Sequence, residues 1–229
     1  MTDSHALSDA SALPDWRRVL AVVAHPDDES FGLGALLSTF AAAGAEVHVL
    51  CLTRGEASTL RGVEGDLATI REHELRAAAD ALGVRGVDLR DLPDGRLAEL
   101  DRAVIDDEVE RAALATRPDG VITFDTTGIS GHPDHVAATE ATVRVAGRHE
   151  LPVLAWTLPE SICGTLAEEG FAGFLGRPPT EIDLELTVDR TAQRAAVECH
   201  PSQAVPGSVL WRRLELQGDT EHLRWLHRP

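Results

Sequence analysis

The feature of the sequence that most constrains its fold is a regular alternation of short apolar runs with longer helical patterns. The run at 18–24 is continuous and aliphatic, as expected for a strand that is covered on both faces. Segments of about 10 to 20 residues with helical character separate this run from the later ones, so crossover connections are required. We predict one α/β domain with a Rossmann-like, doubly wound, mostly parallel sheet and helices on both faces.

The boundaries of the elements follow from where each pattern starts and stops. The predicted strands are 18–24, 46–53, 87–92, 120–124 and 151–158, and the predicted helices between them are 31–43, 66–82, 97–116 and 132–149. Beyond Pro159 the alternation loosens, and we predict a half-exposed strand at 180–188, a helix at 190–199 and a loop at 201–207. Residues 1–15 are predicted to be a flexible tail, and 16–229 a single domain.

The composition limits the partners that we expect. The 229 residues carry a formal net charge of -17 at pH 7, which would repel nucleic acid and anionic membrane surfaces. The three cysteines, Cys51, Cys163 and Cys199, form no C-x-x-C pair, and no leader or membrane-spanning pattern is visible. We therefore expect a cytoplasmic protein that acts on a small molecule. The sequence leaves open whether it forms a homo-oligomer.

Two histidine motifs follow two of the predicted strands. His-Pro-Asp-Asp at 25–28 comes directly after the strand at 18–24, and His-Pro-Asp-His at 132–135 follows the strand at 120–124 after a glycine-containing loop. In a doubly wound sheet of order 3-2-1-4-5, these two strands are neighbours, and a crevice opens at their carboxyl ends. The fold alone therefore brings the two motifs together.

The residue types in these motifs suit a hydrolytic zinc site. Such a site uses three side chains from His, Asp or Glu and leaves a fourth position for water. Of two adjacent aspartates, one can bind the metal while the other stays free as a base. Pro133 suits the first position of a helix, which would place His135 in the first turn and leave His132 free to act as an acid.

Several short blocks then match a known family in order and spacing. They are Ala24-His25-Pro26-Asp27-Asp28-Glu29, Thr53-Arg54-Gly55-Glu56-Ala57, Arg71 in a helix ending Ala81-Leu82-Gly83, Leu92-Pro93-Asp94-Gly95, Gly131-His132-Pro133-Asp134-His135 and His200-Pro201-Ser202-Gln203. With these blocks the sequence resembles the LmbE-like (PIG-L) family of metal-dependent N-acetylglucosamine deacetylases. The resemblance implies a zinc-dependent N-deacetylase, and iron(II) is an alternative metal for such a ligand set.

Roles for individual residues come from the same resemblance. It implies that His25, Asp28 and His135 bind the metal and that Asp27 is the general base for the attacking water. His132 would be the protonated partner of the oxyanion or of the departing amine, with Asp134 tuning it. The resemblance also implies a substrate pocket lined by Glu56, Arg71 and Asp94. One departure is that the chain contains no Tyr, whereas some relatives place a phenol near the position of Ser130.

Each feature also has a purely structural interpretation. A histidine that ends a buried strand, or an aspartate after proline, is often only a turn or cap residue, and Arg71 can pair with Glu74 on the surface of a helix. The occurrence of both motifs at the same crevice favours the catalytic interpretation. Two other functions remain open, namely an amidase that acts on a thiol-sugar conjugate or another natural-product amide, and a non-catalytic, metal-stabilised binding domain.

Overall fold

The computed structural model describes residues 12–60 and 63–229, which form one α/β domain around a seven-stranded sheet. The sheet order is β3-β2-β1-β4-β5-β7-β6. The strands are β1 (Arg18–Val23), β2 (Glu46–Thr53), β3 (Gly86–Leu92), β4 (Gly120–Phe124), β5 (Val153–Thr157), β6 (Leu184–Thr187) and β7 (Thr220–His227). The first five strands pair in parallel and β7 pairs antiparallel with β5 and β6, so the predicted mostly parallel, doubly wound sheet is confirmed.

Helices cover both faces of this sheet. They are α1 (Asp28–Phe31), α2 (Gly34–Ala42), α3 (Leu67–Leu82), α4 (Arg102–Thr116), α5 (Gly128–Gly131), α6 (Pro133–Arg148), α7 (Glu160–Glu168), α8 (Thr191–Glu198) and α9 (Val209–Gln217). α2, α3 and α8 pack on one face, and α4 and α6 pack on the other. No helix in the described ranges is both long and apolar enough to cross a membrane.

β1 shows why this sequence forms a central strand. Its alternate residues Val19, Ala21 and Val23 face the layer of α2 and α3, while Leu20 and Val22 face the layer of α4 and α6. Because successive side chains of a strand point to opposite faces, a strand between two helical layers must be apolar at every position. All five side chains are at most 1% exposed.

The observed elements differ from the sequence prediction mainly where short turns intervene. The helix predicted at 31–43 begins earlier and is divided into α1 and α2, because the chain turns at Gly32 and Leu33. The helix predicted at 97–116 is a 3-10 turn at Leu97–Glu99 followed by α4, which begins where the Asp101 carboxylate accepts a hydrogen bond from the backbone N–H of Ala103.

The C-terminal third contains more regular structure than the sequence pattern indicated. α7 and β7 were not predicted, and β6 is shorter than the strand expected at 180–188. The sequence of β7 is polar. Its Glu221 is nevertheless fully buried, and Arg190 forms a salt bridge with it. At the other end, residues 1–11 of the predicted tail lie outside the described residues, while Leu13 and Trp16 pack against the core.

Candidate active site

The two histidine motifs meet at the carboxyl edge of the sheet. β1 and β4 are paired neighbours, the first motif follows β1, and the second begins α6 after the loop that leaves β4. Across this edge, His25 Nδ1 lies 3.2 Å from His135 Nε2, although the two residues are 110 positions apart in sequence. The convergence that the sequence predicts for these two loops is therefore present.

Potential ligand atoms from three side chains, His25, Asp28 and His135, converge at one point of this cluster. A carboxylate oxygen of Asp28 lies 3.2 Å from His135 Nε2, and the other lies 3.7 Å from His25 Nδ1. Ligands at about 2.1 Å from a tetrahedral zinc ion lie about 3.4 Å from one another. The separations of 3.2, 3.2 and 3.7 Å therefore fit a common divalent cation.

In the rings of His25 and His135, the hydrogen bond made by one nitrogen determines that the other nitrogen is free to bind a metal. His25 Nε2 lies 3.1 Å from Asp94 Oδ1 and 3.3 Å from Asp134 Oδ2, so it must carry the hydrogen. His135 Nδ1 lies 3.1 Å from the carbonyl oxygen of Gly128 and donates to it. When both rings are neutral, the lone pairs of His25 Nδ1 and His135 Nε2 face each other. They repel each other unless a cation lies between them.

The electrostatics of the cluster also favour a cation. Burial by itself lowers the pKa of His25, but hydrogen bonds to Asp134 and Asp94 and the charges of Asp28 and Asp27 raise it to about 10. Burial by itself raises the pKa of Asp28, but His135 and His25 hold it far below its usual range. With both imidazoles neutral, a divalent ion would offset part of the negative charge of Asp27, Asp28, Asp94 and Asp134.

His132 is a third imidazole beside the same point. The rings of His25, His132 and His135 each offer a nitrogen within 4.8 Å of the others, so these three histidines are another potential ligand combination; His25 with Asp94 and Asp134 meets the same criterion. His132 caps α6, because its Nδ1 accepts a hydrogen bond from the backbone N–H of Asp134 at 3.2 Å. In the neutral ring, Nε2 must then carry the hydrogen, which leaves it available as a donor.

The surroundings of His132 bear on the role that the family resemblance implies for it, a protonated partner of the oxyanion or of the departing amine. Burial lowers its pKa, and the neighbouring His135 and His25 lower it further. A neutral His132 can still donate a hydrogen bond from Nε2 to a developing oxyanion. This environment favours the oxyanion role over that of an acid protonated in advance.

The carboxylate of Asp134 contacts His25, whereas the resemblance implies that this residue tunes His132. Its side chain is fully buried and lies against His25, and it also accepts hydrogen bonds from the backbone N–H groups of Gly95 at 2.7 Å and Leu97 at 2.9 Å. It donates a hydrogen bond to His132 from its own backbone N–H, and the charge of its carboxylate raises the pKa of His132. Its position therefore fits orientation of the His25 ring more directly than tuning of His132.

We expect Asp134→Asn to weaken metal binding about 10- to 100-fold, because the amide cannot hold the His25 ring as the carboxylate does. Titration of the metal-free variant with Zn²⁺ measures the change. Asp107→Asn, at an exposed position of α4, is the matched control. Unchanged affinity in Asp134→Asn would show that this carboxylate does not support His25.

Asp27 is held in an unusual backbone conformation beside the cluster. Its φ is 130°, a value that side-chain-bearing residues rarely adopt, and its backbone N–H donates to Glu29 Oε2 at 2.9 Å. Its carboxylate lies 3.0 Å from Arg71 Nη2. Burial, opposed by Arg71 and reinforced by Asp28, raises the pKa of Asp27 to about 6. A carboxylate of this kind can accept a proton near neutral pH.

Arg71 supports this loop from beneath. Arg71 is 3% exposed. Its guanidinium also donates hydrogen bonds to the carbonyl oxygen of Pro26 and, at 2.8 Å, to that of Gly55. Gly55 has a φ of 67°, and a Cβ there would lie 2.3 Å from Arg71 Nη1. The bonds of Arg71 thus fix the chain after β1 and β2.

A buried polar network continues from Asp27 into the protein. Glu29 Oε1 lies 2.7 Å from His200 Nε2, and both side chains are fully buried. On the far side of the ring, His200 Nδ1 lies 4.0 Å from Glu74, which accepts hydrogen bonds from the backbone N–H and the hydroxyl of Ser202. Glu29 and His200 stand in the matching blocks, but sequence reasoning gave neither a role.

We predict that His200→Leu lowers kcat about 10- to 100-fold with little change in KM or metal content, because Glu29 loses the donor that helps it hold Asp27. His200→Gln, which can still donate, should recover part of kcat. Steady-state kinetics together with metal analysis distinguish this effect from a loss of folding. Equal activity of both variants and the parent would remove His200 from the account.

The remaining predicted residues lie at the rim of the site. A cavity of about 460 Å³ opens over the cluster and includes Asp27, Arg71, Asp94 and His132 in its lining. Asp94 divides its carboxylate between His25 and the backbone N–H of Ala57, at 2.7 Å. The Glu56 side chain is exposed and accepts a hydrogen bond from the backbone N–H of Asp94 at 3.1 Å, so it supports the rim.

Comparisons with known proteins identify the family and the fold. The sequence profile of the family "PIG-L: GlcNAc-PI de-N-acetylase" matches residues 20–146. A 1D-myo-inositol 2-acetamido-2-deoxy-alpha-D-glucopyranoside deacetylase from Kineococcus radiotolerans is 38% identical, and the alignment covers 62% of this chain and 48% of the relative. The chain thus spans about half the length of that relative. The enzyme of the same name from Mycolicibacterium vanbaalenii is 32% identical over 81% of this chain and 80% of its own.

A solved structure with the same fold is that of the A40926 pseudoaglycone deacetylase, an enzyme acting on an antimicrobial reagent. It superposes with a TM-score of 0.70 and 24% identity, covering 91% of this chain and 96% of that one. At this level of identity, the likeness shows the shared fold.

Proposed function

Because this chain belongs to the PIG-L (LmbE-like) family of GlcNAc-PI de-N-acetylases, we propose that it is a metal-dependent hydrolase that removes an N-acyl group, in the first place acetyl, from an amino sugar or a related small-molecule amide. The observation that carries the proposal is the convergence of His25, Asp28 and His135 with Asp27 held beside them. We propose these three residues as the ligands of Zn²⁺, with Fe²⁺ as the alternative.

Residues around the cluster would transfer the protons and stabilise the oxyanion during hydrolysis. A divalent metal bound there supplies Lewis acidity that polarises the amide carbonyl and lowers the pKa of water. Asp27 removes the proton from the attacking water, and Arg71 keeps its carboxylate in place. His132 Nε2 donates a hydrogen bond to the oxyanion that forms at the carbonyl oxygen. Cleavage of the carbon–nitrogen bond then requires a proton on the departing nitrogen, which Asp27 returns.

The spare carboxylate separates this function from a binding module. A protein that only needs a stabilising metal requires its ligands and their support, and it gains nothing from holding Asp27 in a strained conformation. Asp27 nevertheless has a φ of 130° and is held by Glu29 and Arg71. This arrangement supports catalysis at the cluster.

The proposal is tested with the full chain loaded with Zn²⁺ or Fe²⁺. Release of free amine is measured for N-acetylglucosamine, its inositol glycosides, and amides of thiol-sugar conjugates. Turnover of an N-acetylated amino sugar that disappears on chelation is the expected result. Turnover of the thiol-sugar amides alone would make the protein an amidase of that class. Stoichiometric metal without turnover of any substrate would favour the non-catalytic binding domain.

A further inference from the structure

A second, smaller cavity opens on the other side of the candidate metal ligands. Its volume is about 170 Å³, and it shares Asp28, Phe31 and His135 with the larger cavity. Its remaining wall includes three aromatic side chains: Phe124, Trp156 and Phe174. One acetyl methyl group occupies about as much space as a water molecule, roughly 30 Å³. The small cavity therefore has room for a longer chain.

Arg213 is the one cationic side chain in the wall of this small cavity. It is 5% exposed, and its Cζ lies 5.0 Å from the centre of the Trp156 ring. Its Nη2 donates to the carbonyl oxygen of Phe31 at 2.6 Å. Within the described part of the chain, its Nε and Nη1 groups have no hydrogen-bond partner, so they can serve a ligand in the cavity.

Glu221 is a buried acid whose charge acts on Arg213, but among the described residues the two form no salt bridge. Glu221 forms a salt bridge with Arg190 through Oε1, and its Oε2 accepts from Trp156 Nε1 at 2.6 Å and Gln217 Nε2 at 3.2 Å. Other groups thus occupy both oxygens of Glu221. A buried charge without a partner is unfavourable, and an anionic ligand at Arg213 would relieve this cost.

Asp28 is the acid that Arg213 faces across the small cavity. Its oxygens are already engaged by His135 Nε2 and by the backbone N–H groups of Ala24 and His25, at 3.2, 3.2 and 2.9 Å. In the proposed function, Asp28 is also a metal ligand, so its charge is neutralised there. The charge of Arg213 then remains available to an anionic ligand.

We propose that the small cavity is an acyl subsite for N-acyl groups longer than acetyl that end in a carboxylate, such as succinyl, and that Arg213 binds that carboxylate. This inference rests on the proposed function. The two substituents of an amide carbonyl carbon point in different directions, and two cavities meet at the proposed ligands. The larger and more polar cavity, of about 460 Å³, suits the sugar amine, and the smaller, more apolar one suits the acyl chain.

The reaction is an ordinary hydrolysis. Water adds its oxygen to the acyl carbon, the carbon–nitrogen bond breaks, and the nitrogen leaves as the amine with a proton from that water. For a succinyl group, the products are succinate and the free amino sugar. A guanidinium–carboxylate pair forms charge-assisted, often two-point hydrogen bonds, which gives both affinity and selectivity for such an acyl group.

The test compares N-succinyl-glucosamine with its neutral analogue of similar length, N-butyryl-glucosamine, on the metal-loaded full chain. We expect kcat/KM to favour the succinyl substrate by about tenfold or more. Arg213→Met should reduce this ratio to near unity. Arg212→Met is the matched control. Arg212 directly precedes Arg213 in α9, and it pairs with Glu169 and Glu215 at the surface. Arg212→Met should leave the ratio unchanged.

Binding gives an independent readout in case turnover is weak. Succinate should bind the metal-loaded protein about tenfold more tightly than butyrate, and Arg213→Met should remove the difference. Arg213→Gln serves as a second variant if Arg213→Met folds poorly. Equal binding of both acids, or a preference for the butyryl substrate, overturns the subsite while leaving the proposed function intact. Absence of hydrolysis with every N-acyl substrate counts against the proposed function, and the binding ratio then decides the subsite separately.

Discussion

Asp27→Asn is expected to lower kcat for N-acyl hydrolysis by about 100- to 10,000-fold, because the amide cannot accept the proton of the attacking water. The isosteric change should preserve the fold. It should also preserve metal content, since the carboxylate of Asp27 contacts Arg71 Nη2 at 3.0 Å and lies outside the proposed ligand set. Steady-state kinetics and elemental analysis of the same preparation measure both quantities.

The matched control for this variant is Asp91→Asn, because the Asp91 side chain is 87% exposed. It should keep the parent rate. If Asp27→Asn keeps the rate of the parent, another group is the base. If it loses the metal as well, Asp27 belongs to the ligand set and the division between Asp27 and Asp28 is wrong.

The second large effect is expected from removal of a proposed ligand. His135→Ala and Asp28→Ala should each lower bound metal from about one equivalent per chain to a small fraction. Activity should fall about 1,000-fold or more, because the metal contributes several kcal/mol to transition-state stabilisation. Chelation of the parent protein should have the same effect, and addition of Zn²⁺ or Fe²⁺ should restore only the parent.

His73→Ala is the control for these variants, since His73 is an exposed histidine of α3. It should keep both metal and activity. His132→Ala separates the two potential ligand combinations: it should keep the metal and lose rate if Asp28 is the third ligand. If instead His132→Ala loses the metal and Asp28→Ala retains it fully, the three histidines are the ligands.

The central part of the fold and of the site could be predicted from the sequence because local patterns determine both. The continuous apolar run of β1 requires a strand covered on both faces, and the topology then places the residues that follow β1 and β4 at one edge. His25, Asp28 and His135 could be placed together on this ground alone. The metal they would hold remains a proposal.

Contacts between distant loops could not be predicted in the same way. Asp134 turns toward His25 because the backbone N–H groups of Gly95 and Leu97 hold its carboxylate, and no local pattern shows how that loop packs on α6. His200 reaches Glu29 from 171 positions away in sequence. A resemblance in short blocks identifies such residues as candidates, but the partner of each side chain depends on packing.

The C-terminal elements were hard to predict for a related reason. β7 carries Glu221 and His222 in a sheet interior, so its sequence lacks the apolar pattern of the other strands. Its polarity is compensated by Arg190, a residue just before α8. The same buried charges leave Arg213 facing the small cavity, a feature that becomes visible only after the pairing of Glu221 is known.

The most direct test of the account is anomalous diffraction at the zinc edge from crystals of the full chain loaded with Zn²⁺. We predict one peak at about 2.0 to 2.2 Å from His25 Nδ1, His135 Nε2 and a carboxylate oxygen of Asp28, with the Asp27 carboxylate uncoordinated. A peak bound by His132 in place of Asp28, or no peak between the two histidine motifs at saturating Zn²⁺, would contradict it.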